Sequence, residues 1–131
     1  MKKPKADLTN SFFITNDDAS PQKFLFERLA NKWFLMILAD LFHETCRFNS
    51  LLKSHPGLSQ KVLSHTLKNL EEDGLIDRKV NGNQIPVEVS YSITTFGRSL
   101  IEITSPLFEW SNQNINKLHS ARKKYAKKYQ L

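Results

Sequence analysis

The clearest pattern of apolar and polar positions in the chain lies between residues 57 and 76. Apolar positions recur there at spacings of four, three and four, which places them along one side of a helix. Ser59 would cap the start of this helix with its hydroxyl, and Gly74 would end it. The stripe that would face a core consists of Leu63, Leu67, Leu70 and Gly74, with Val62 alongside.

The opposite side of this predicted helix is polar and carries no acid, since the acidic run at 71–73 falls at the far end. Side chains that donate hydrogen bonds can read base edges or bind phosphates, so this face is typical of a helix that enters the major groove of DNA. A solvated face on an ordinary amphipathic helix explains the segment equally well when it is taken alone. The polar side chains are Gln60, Lys61, Ser64, His65 and Lys68.

Two further helices are predicted before this segment. Residues 32–42 form a strongly apolar run, and residues 48–53 form a shorter one. The Ser-His-Pro-Gly turn at 54–57 separates the shorter run from the polar-faced helix by only a few residues. Two helices joined by so short a turn indicate a helix-turn-helix.

After Gly74 the period of the pattern changes to two. Residues 75–80 and 87–93 alternate between apolar and polar positions, and the turn-rich segment 81–86 contains an Asn-Gly pair. The sequence therefore predicts a β-hairpin, which would form a wing directly after the helix-turn-helix. The polar side chains expected against the DNA backbone or in the minor groove are Arg78, Lys79, Asn81 and Asn83.

The predicted fold class is mainly α with a small β-hairpin (α+β), arranged as a winged helix-turn-helix with flanking helices at both ends. The first flanking helix is expected at 21–30 and the last from Thr95 onward, where Pro106 would end or kink it. Both helices offer apolar side chains to a two-fold symmetric dimer, although packing within one chain accounts for some of them. These side chains are Phe24, Leu25 and Leu29 in the first helix, and Phe96, Leu100, Ile103, Leu107, Phe108 and Trp110 in the last.

Five short motifs follow one another along the chain. They are Ala30-Asn31-Lys32-Trp33, Arg47-Phe48-Asn49-Ser50-Leu51, the run from Pro56 to Leu63, the run from Leu70 to Ile76, and Tyr91 to Thr94 with Gly97 to Leu100. In this order they resemble the HxlR family of bacterial winged-helix transcription regulators, over residues 20–110. The resemblance implies a dimeric, DNA-binding, non-enzymatic protein that usually controls nearby genes.

Cysteine usage departs from that of many members of this family. Members that sense electrophiles or oxidants place a cysteine before a proline at the start of the first helix, where this chain has Ser20-Pro21. Its single cysteine, Cys46, excludes an intramolecular disulfide and is typical of a reducing compartment. A buried packing role for Cys46 is favoured over a redox role, which would rest only on its being the sole thiol.

The net charge of +6 comes entirely from the C-terminal end, because residues 111–131 hold six basic side chains and no acid. We expect a flexible N-terminal arm at 1–19, a winged-helix domain with its dimerisation helices at 20–110, and a basic helical extension at 111–131. The extension would attract phosphates regardless of sequence or serve only as a solvated end. Binding to a membrane surface is the weaker alternative, because the extension has few large aliphatic side chains.

Nothing in the sequence favours catalysis or metal binding, so neither an enzyme nor a cofactor is expected. The four histidines are scattered over separate elements, and neither a phosphate loop nor a nucleophile elbow occurs. A cytoplasmic, nucleoid-associated protein is expected, because no apolar run reaches membrane-spanning length and the first residues are polar rather than signal-like.

The expected function is that of a homodimeric transcriptional regulator that binds duplex DNA at a palindromic operator, with Arg47 and Ser59 on phosphates. The alternative is a winged-helix module that binds a protein through the same helix and wing, although the acid-free face counts against it. An apolar effector could enter a pocket at the dimer seam, but aromatic side chains at such spacings more often belong to a core. The four aromatic residues that would line it are Trp33, Phe34, Phe96 and Trp110.

Overall fold

The computed structural model describes residues 20–131, so the arm expected at 1–19 lies outside the described residues. Within residues 20–131 the chain forms five helices and three strands, in the order that the sequence predicts for the helices and the hairpin. They are α1 (Pro21–Leu29), α2 (Lys32–His43), β1 (Cys46–Arg47), α3 (Phe48–Ser54), α4 (Gln60–Glu72), β2 (Ile76–Asn81), β3 (Glu88–Ile93) and α5 (Thr95–Tyr129).

The core is built around α2, which packs against α1, α4, α5 and β3. Its apolar run has a long hydrophobic face, so four of its side chains are removed from water. The predicted stripe of α4 faces this core, as the sequence indicates. The fully buried side chains from the two helices are Phe34, Ile37, Leu38 and Leu41 of α2, and Leu63, Thr66, Leu67 and Leu70 of α4.

Two members of the predicted stripe of α4 do not face the core: Gly74, which is exposed beyond the end of the helix, and Val62. Val62 is 37% exposed, whereas Thr66 is fully buried. Thr66 reaches the core because its hydroxyl accepts a hydrogen bond from Asn31 Nδ2 at 3.0 Å, which satisfies the polar group inside the protein. The apolar pattern alone did not identify this position.

The hairpin predicted from the alternating pattern is confirmed, and it belongs to a three-stranded antiparallel sheet in the order β1-β3-β2. Strand β1 is only two residues long and pairs Cys46 with Tyr91 and Arg47 with Ser90. So short a strand has no alternating pattern of its own, which is why the sequence did not predict it. Through β1, the start of α3 is fixed to the wing.

The predicted ends of α4 are also confirmed. Ser59 Oγ accepts a hydrogen bond from the Val62 amide at 3.1 Å and so caps the first turn. Gly74 follows the last turn with a φ of +74°, and the Leu75 amide donates to the Leu70 carbonyl at 3.0 Å. A residue with positive φ after a helix, with this backbone bond, is the glycine-terminated helix end that the sequence indicates.

The sequence predicted that Pro106 would end or kink the last helix, and the first of these outcomes is wrong, because α5 continues through Pro106 to Tyr129. Proline removes one N–H donor, which would otherwise bond the carbonyl of Glu102 one turn earlier. Glu102 is exposed, so water can bond that carbonyl and the helix does not have to stop. The result is one helix of 35 residues, about 52 Å long at 1.5 Å per residue.

Candidate nucleic-acid interface

Helix α4 presents a polar strip to solvent, which we define as Gln60, Lys61, Ser64, His65 and Lys68. All five side chains are exposed. Because successive residues of an α-helix are rotated by about 100°, Lys61, His65 and Lys68 lie opposite the buried leucines, and Gln60 and Ser64 lie on one flank. The structure thus brings these five predicted residues together on one continuous surface.

The same geometry corrects the expectation that this face carries no acid. Glu72 lies on the outward side in the last turn of α4, and its Oε1 is 4.0 Å from Lys68 Nζ. This ion pair is exposed and weak, yet it places a negative charge beside the last lysine of the strip. The acid-free part of the face is therefore the N-terminal half of α4, which holds Lys61 and His65.

The far end of α4 is fixed to α1 by a two-pronged ion pair that sequence reasoning missed. Arg28 donates from Nε to Asp73 Oδ2 at 2.6 Å and from Nη2 to Asp73 Oδ1 at 3.0 Å. Both side chains are largely buried, and the hydrogen bond to Asp73, helped by the attraction between the charges, raises the pKa of the Arg28 guanidinium. Arg28 therefore remains charged and holds the C-terminal cap of α4 in place.

A second polar contact fixes the middle of α4. The Asn31 side chain caps α2 by accepting from the Trp33 amide at 3.0 Å, and its Nδ2 donates to the buried hydroxyl of Thr66. One amide group thereby joins the start of α2 to the inner side of α4. No local pattern marks this contact, because Asn31 and Thr66 are 35 residues apart.

The turn between α3 and α4 is fixed to α2 in a similar way. His55 Nε2 is in hydrogen-bond contact with Asp40 Oδ2, and the ring edge of His55 meets Trp33 with 5.6 Å between ring centroids. His55 is one of the four scattered histidines of the sequence, and its side chain is only 14% exposed. The turn of the helix-turn-helix is therefore held by side-chain contacts rather than by its backbone alone.

The wing distributes its predicted contact residues over both faces of the hairpin. Register places Arg78 opposite Tyr91 on one face, whereas Lys79 and Asn81 project from the other face. Asn81 Oδ1 accepts from the Asn83 amide at 3.3 Å and so shapes the turn. Lys79 and Asn81 therefore share one face of the hairpin, and Arg78 lies on the other.

The wing tip also carries an apolar residue that the sequence did not single out. Ile85 is fully exposed in the turn between β2 and β3. Isolated exposed apolar residues are common on protein surfaces. Its position between the polar residues of the wing still places it within the candidate interface.

Arg47, expected on a phosphate, is engaged within the protein. Its Nη2 is 2.6 Å from Glu88 Oε1, and its side chain is 61% exposed. The pair ties the start of α3 to the first residue of β3. Since an exposed ion pair is weak, a phosphate can compete with Glu88 for this guanidinium.

The aromatic pocket expected at a dimer seam needs a correction. Phe34 is 1% exposed inside the core, and Trp33 packs against that core beside His55. Phe96 and Trp110 are instead 61% and 62% exposed on α5. The four rings do not line one cavity, because the position of Phe34 on α2 places its ring inside the core.

Cys46 is half-buried in β1, and its Sγ donates to the Glu44 carbonyl at 3.4 Å. Partial burial raises the pKa of its thiol, and the negative charges of Glu44 and Asp40 add to this. A raised pKa disfavours the thiolate, which is the reactive form. The packing role favoured from the sequence agrees with this environment.

We expect native Cys46 to react with iodoacetamide at pH 7.4 about threefold or more slowly than in the denatured chain, because less of the folded protein carries the thiolate. The difference should narrow as the pH rises, because the thiolate fraction of the native protein then approaches that of the denatured chain. Alkylation rates followed by intact-mass spectrometry test this. Faster alkylation of the native protein would contradict it and would indicate an activated thiol.

The described residues offer no arrangement for two other kinds of site. Within residues 20–131, no group of three or more His, Cys, Asp or Glu side chains is arranged to hold a metal ion. In the same part of the chain, no helix has both the length and the apolar character needed to cross a membrane.

A helix-turn-helix whose second helix exposes a polar strip, followed by a hairpin and framed by flanking helices, defines a winged-helix protein of the DNA-binding type. The family model described as HxlR-like helix-turn-helix matches residues 28–119. The chain belongs to this family, which confirms the resemblance seen in its motifs.

Relatives and solved structures agree with this assignment. The chain is 33% identical over 107 residues to the uncharacterized HTH-type transcriptional regulator YybR of Bacillus subtilis, covering 82% of this chain and 85% of YybR. It is 38% identical over 93 residues to YtcD of the same organism, also named an uncharacterized HTH-type transcriptional regulator, covering 71% and 73%. Its structure is similar to the redox regulator HypR in its reduced form, with a TM-score of 0.70, 34% identity, and coverage of 77% of this chain and 99% of HypR.

Proposed function

We propose that the protein is a non-enzymatic transcriptional regulator that binds a palindromic operator as a homodimer. The observation that carries this proposal is the exposed polar strip of α4, whose N-terminal half is cationic and acid-free. Its helix is fixed at both ends, by the Ser59 cap and by the Arg28–Asp73 pair. A rigid helix with such a surface is suited to the major groove.

Within the groove, the residues of the strip take different roles. Gln60 lies in the first turn of α4, where a recognition helix approaches the bases, and its amide can bond adenine on two atoms. Ser64 lies one turn further along the same flank. Lys61 and His65 can bond either a base or a phosphate, and Lys68 is the weakest contributor because Glu72 accompanies it.

The remaining predicted residues would hold the protein in register on the DNA backbone. Lys79, Asn81 and Asn83 of the wing would contact phosphates or the minor groove, with Arg78 on the other face of the hairpin. Ser59 and Arg47 would bind phosphates next to α4, Arg47 by leaving Glu88. These contacts add affinity without reading sequence.

The proposed homodimer is supported by apolar side chains that one copy leaves exposed. Phe24 and Phe26 of α1 are 41% and 50% exposed, and α5 exposes further large apolar side chains along its length. Burying them between two copies would place two α4 helices about 34 Å apart, one turn of DNA, so that the operator has two-fold symmetry. Such a regulator would act in the cytoplasm on nucleoid DNA.

Fluorescence anisotropy against the DNA upstream of the protein's own gene tests this proposal. Tight binding that resists competition by an equal-length scrambled duplex is the expected result. Equal binding to both duplexes, with a steep salt dependence, would overturn the proposed sequence specificity. No binding to either duplex would favour a protein partner at the same surface.

The division of roles predicts different losses for two substitutions. Gln60→Ala should cost roughly 1–3 kcal/mol at one base pair of the operator and little on scrambled DNA, because it removes a contact to a base edge. Lys79→Ala should weaken binding to all sequences alike. It should also reduce the slope of log affinity against log salt concentration by about one for each phosphate contact that is lost. Anisotropy on operator variants and over a salt series measures both. Equal losses from the two variants on every sequence would refute this division.

A further inference from the structure

The turn of the wing is fixed at both of its ends by side-chain contacts. At the first end, Asn81 Oδ1 accepts a hydrogen bond from the Asn83 amide at 3.3 Å. At the other end, the side-chain nitrogen of Gln84 donates to Glu88 Oε1 at 2.8 Å, in the amide orientation that satisfies both groups. The same carboxylate oxygen contacts Arg47 at 2.6 Å. The turn therefore has a defined shape.

The same turn exposes three consecutive apolar residues, Ile85, Pro86 and Val87. Ile85 is completely exposed, and Val87 is 56% exposed. Proline restricts the backbone of the residue before it, so Pro86 limits the freedom of Ile85 further. A whole isoleucine side chain in water is unfavourable, and none of residues 20–131 covers this one. A fixed turn that presents such a side chain is suited to insert it into a partner.

Two cations lie on opposite faces of the hairpin behind this turn. Arg78 and Lys79 are consecutive residues of β2, so their side chains point to opposite faces. Both are exposed, and within residues 20–131 neither forms an ion pair. A flat anionic surface would contact only one of these cations, whereas a groove with a phosphate backbone on each side can bind both.

The dimensions of the hairpin match those of the minor groove of DNA. Lys79 lies two residues before Asn81, the last residue of β2, which is about 7 Å along the strand. The minor groove is about 7.5 Å deep and about 6 Å wide, so only the turn of a hairpin can reach its floor. With the turn in the groove, Arg78 and Lys79 lie at the level of the two backbones, and Ile85 faces the base pairs.

We propose that the turn of the wing enters the minor groove and that Ile85 is inserted between two stacked base pairs. Apolar side chains inserted in this way partly unstack a base step and kink the duplex by roughly 20–90°. The steps TA and CA/TG deform most easily, so Ile85 reads sequence through the deformability of the DNA rather than through hydrogen bonds. This inference rests on the proposed function and adds a sequence-reading role to the wing.

Permanganate footprinting on the DNA upstream of the protein's own gene tests the insertion. Permanganate oxidises unstacked thymines, and every TA or CA/TG step contains a thymine. The bound protein should raise the reactivity of a thymine at such a step about fivefold or more. Ile85→Ala should abolish this rise and lower the operator affinity about tenfold, because less apolar surface is buried. Ile85→Met should retain the rise, since methionine can also be inserted.

Val80→Ala is the matched control for Ile85→Ala. Val80 is 48% exposed on β2, but it lies before the turn and cannot reach the floor of the groove. Its loss should therefore change neither the thymine reactivity nor the affinity by more than about twofold. Thermal unfolding should give Ile85→Ala the same Tm as the unmodified protein, because its side chain packs against nothing within residues 20–131.

A change in the DNA tests the reading role directly. Replacing the reactive step by a stiff AA step should lower the affinity of the unmodified protein about tenfold. The same replacement should not lower the affinity of Ile85→Ala further, because that variant no longer deforms the step. Losses that simply multiply would overturn the reading role of Ile85.

The outcomes separate this inference from the proposed function. Tight operator binding without an unstacked thymine, or an unstacked thymine that persists in Ile85→Ala, would overturn the insertion alone and leave the regulator intact. Unstacked thymines that depend on Ile85, together with equal affinity for operator and scrambled duplexes, would support the insertion and overturn the proposed sequence-specific function. Absence of binding to either duplex would overturn both.

Discussion

Lys61→Glu is expected to lower the affinity for operator DNA on the order of 100-fold at about 0.1 M salt, because the proposed dimer would carry the reversed charge into two half-sites. Lys61 is exposed in the first turn of α4, and within residues 20–131 it forms no ion pair that would occupy its charge. Stability should not suffer, since a negative charge near a helix N-terminus is favourable. The affinity is measured by anisotropy and the stability by thermal unfolding.

Lys123→Glu is the matched control for this prediction. It changes the net charge by the same amount at an exposed position of α5, and it should lower the affinity no more than about threefold. A loss of equal size in both variants would mean that overall charge, rather than contact by α4, governs binding. An unchanged affinity in Lys61→Glu would remove the N-terminal half of α4 from the interface.

Gly97→Ala is expected to destabilise the protein by about 3 kcal/mol, although alanine is normally the better helix former. An added Cβ at Gly97 would lie 2.1 Å from the Leu75 carbonyl oxygen and 2.7 Å from Ile93 Cγ1. A backbone oxygen cannot move aside as a side chain can, so α5 would have to shift away from the end of α4. Thermal unfolding should show a Tm lower by roughly 10 °C.

Gly82→Ala provides the control for Gly97→Ala. A Cβ at Gly82, in the turn of the wing, meets no atom within 4 Å, and the unfolding free energy should change by no more than about 0.5 kcal/mol. A stable Gly97→Ala protein would show that α5 is not held as closely to Leu75 as the structure indicates.

The close approach at Gly97 belongs to a junction that fixes α5 relative to α4. Thr94 Oγ1 donates to the Gly74 carbonyl at 2.7 Å and accepts from the Gly97 amide at 3.0 Å. The Thr94 amide donates to the Leu75 carbonyl at 3.1 Å. The end of α4 is therefore bonded to the start of the helix for which we propose a dimer contact, and the distance between two α4 helices in a dimer would depend on this junction.

Much of the fold could be predicted because its signals are local. The stripe of Leu63, Leu67 and Leu70 sets the inner face of α4, and Ser59 and Gly74 act on backbone groups within a few residues of themselves. The wing follows from an alternating pattern and an Asn-Gly turn. The polar strip of α4 could be predicted for the same reason, because a helix with one buried side necessarily exposes the other.

The parts that the sequence did not reveal depend on contacts between distant residues. Arg28 and Asp73 are 45 residues apart, and either side chain alone looks like an ordinary surface charge. Phe34 on α2 and Phe96 on α5 are both aromatic residues in amphipathic helices, yet one is in the core and the other is exposed. Their environments depend on how whole helices pack, and no local spacing contains that information.

The sequence by itself therefore determined the helix-turn-helix, the wing and the family, because period, caps and turn residues act over a few positions along the chain. Only the tertiary structure decided which side chains fix α4 in position and which part of α5 packs against the core. Arg28, Asn31 and Gly97 take their roles from partners that the fold brings within a few ångströms of them. The physical reason is that the orientation of a helix depends on many packing contacts between residues that are far apart in the sequence. Each residue makes its contact only once the chain has folded, so no local pattern reveals it.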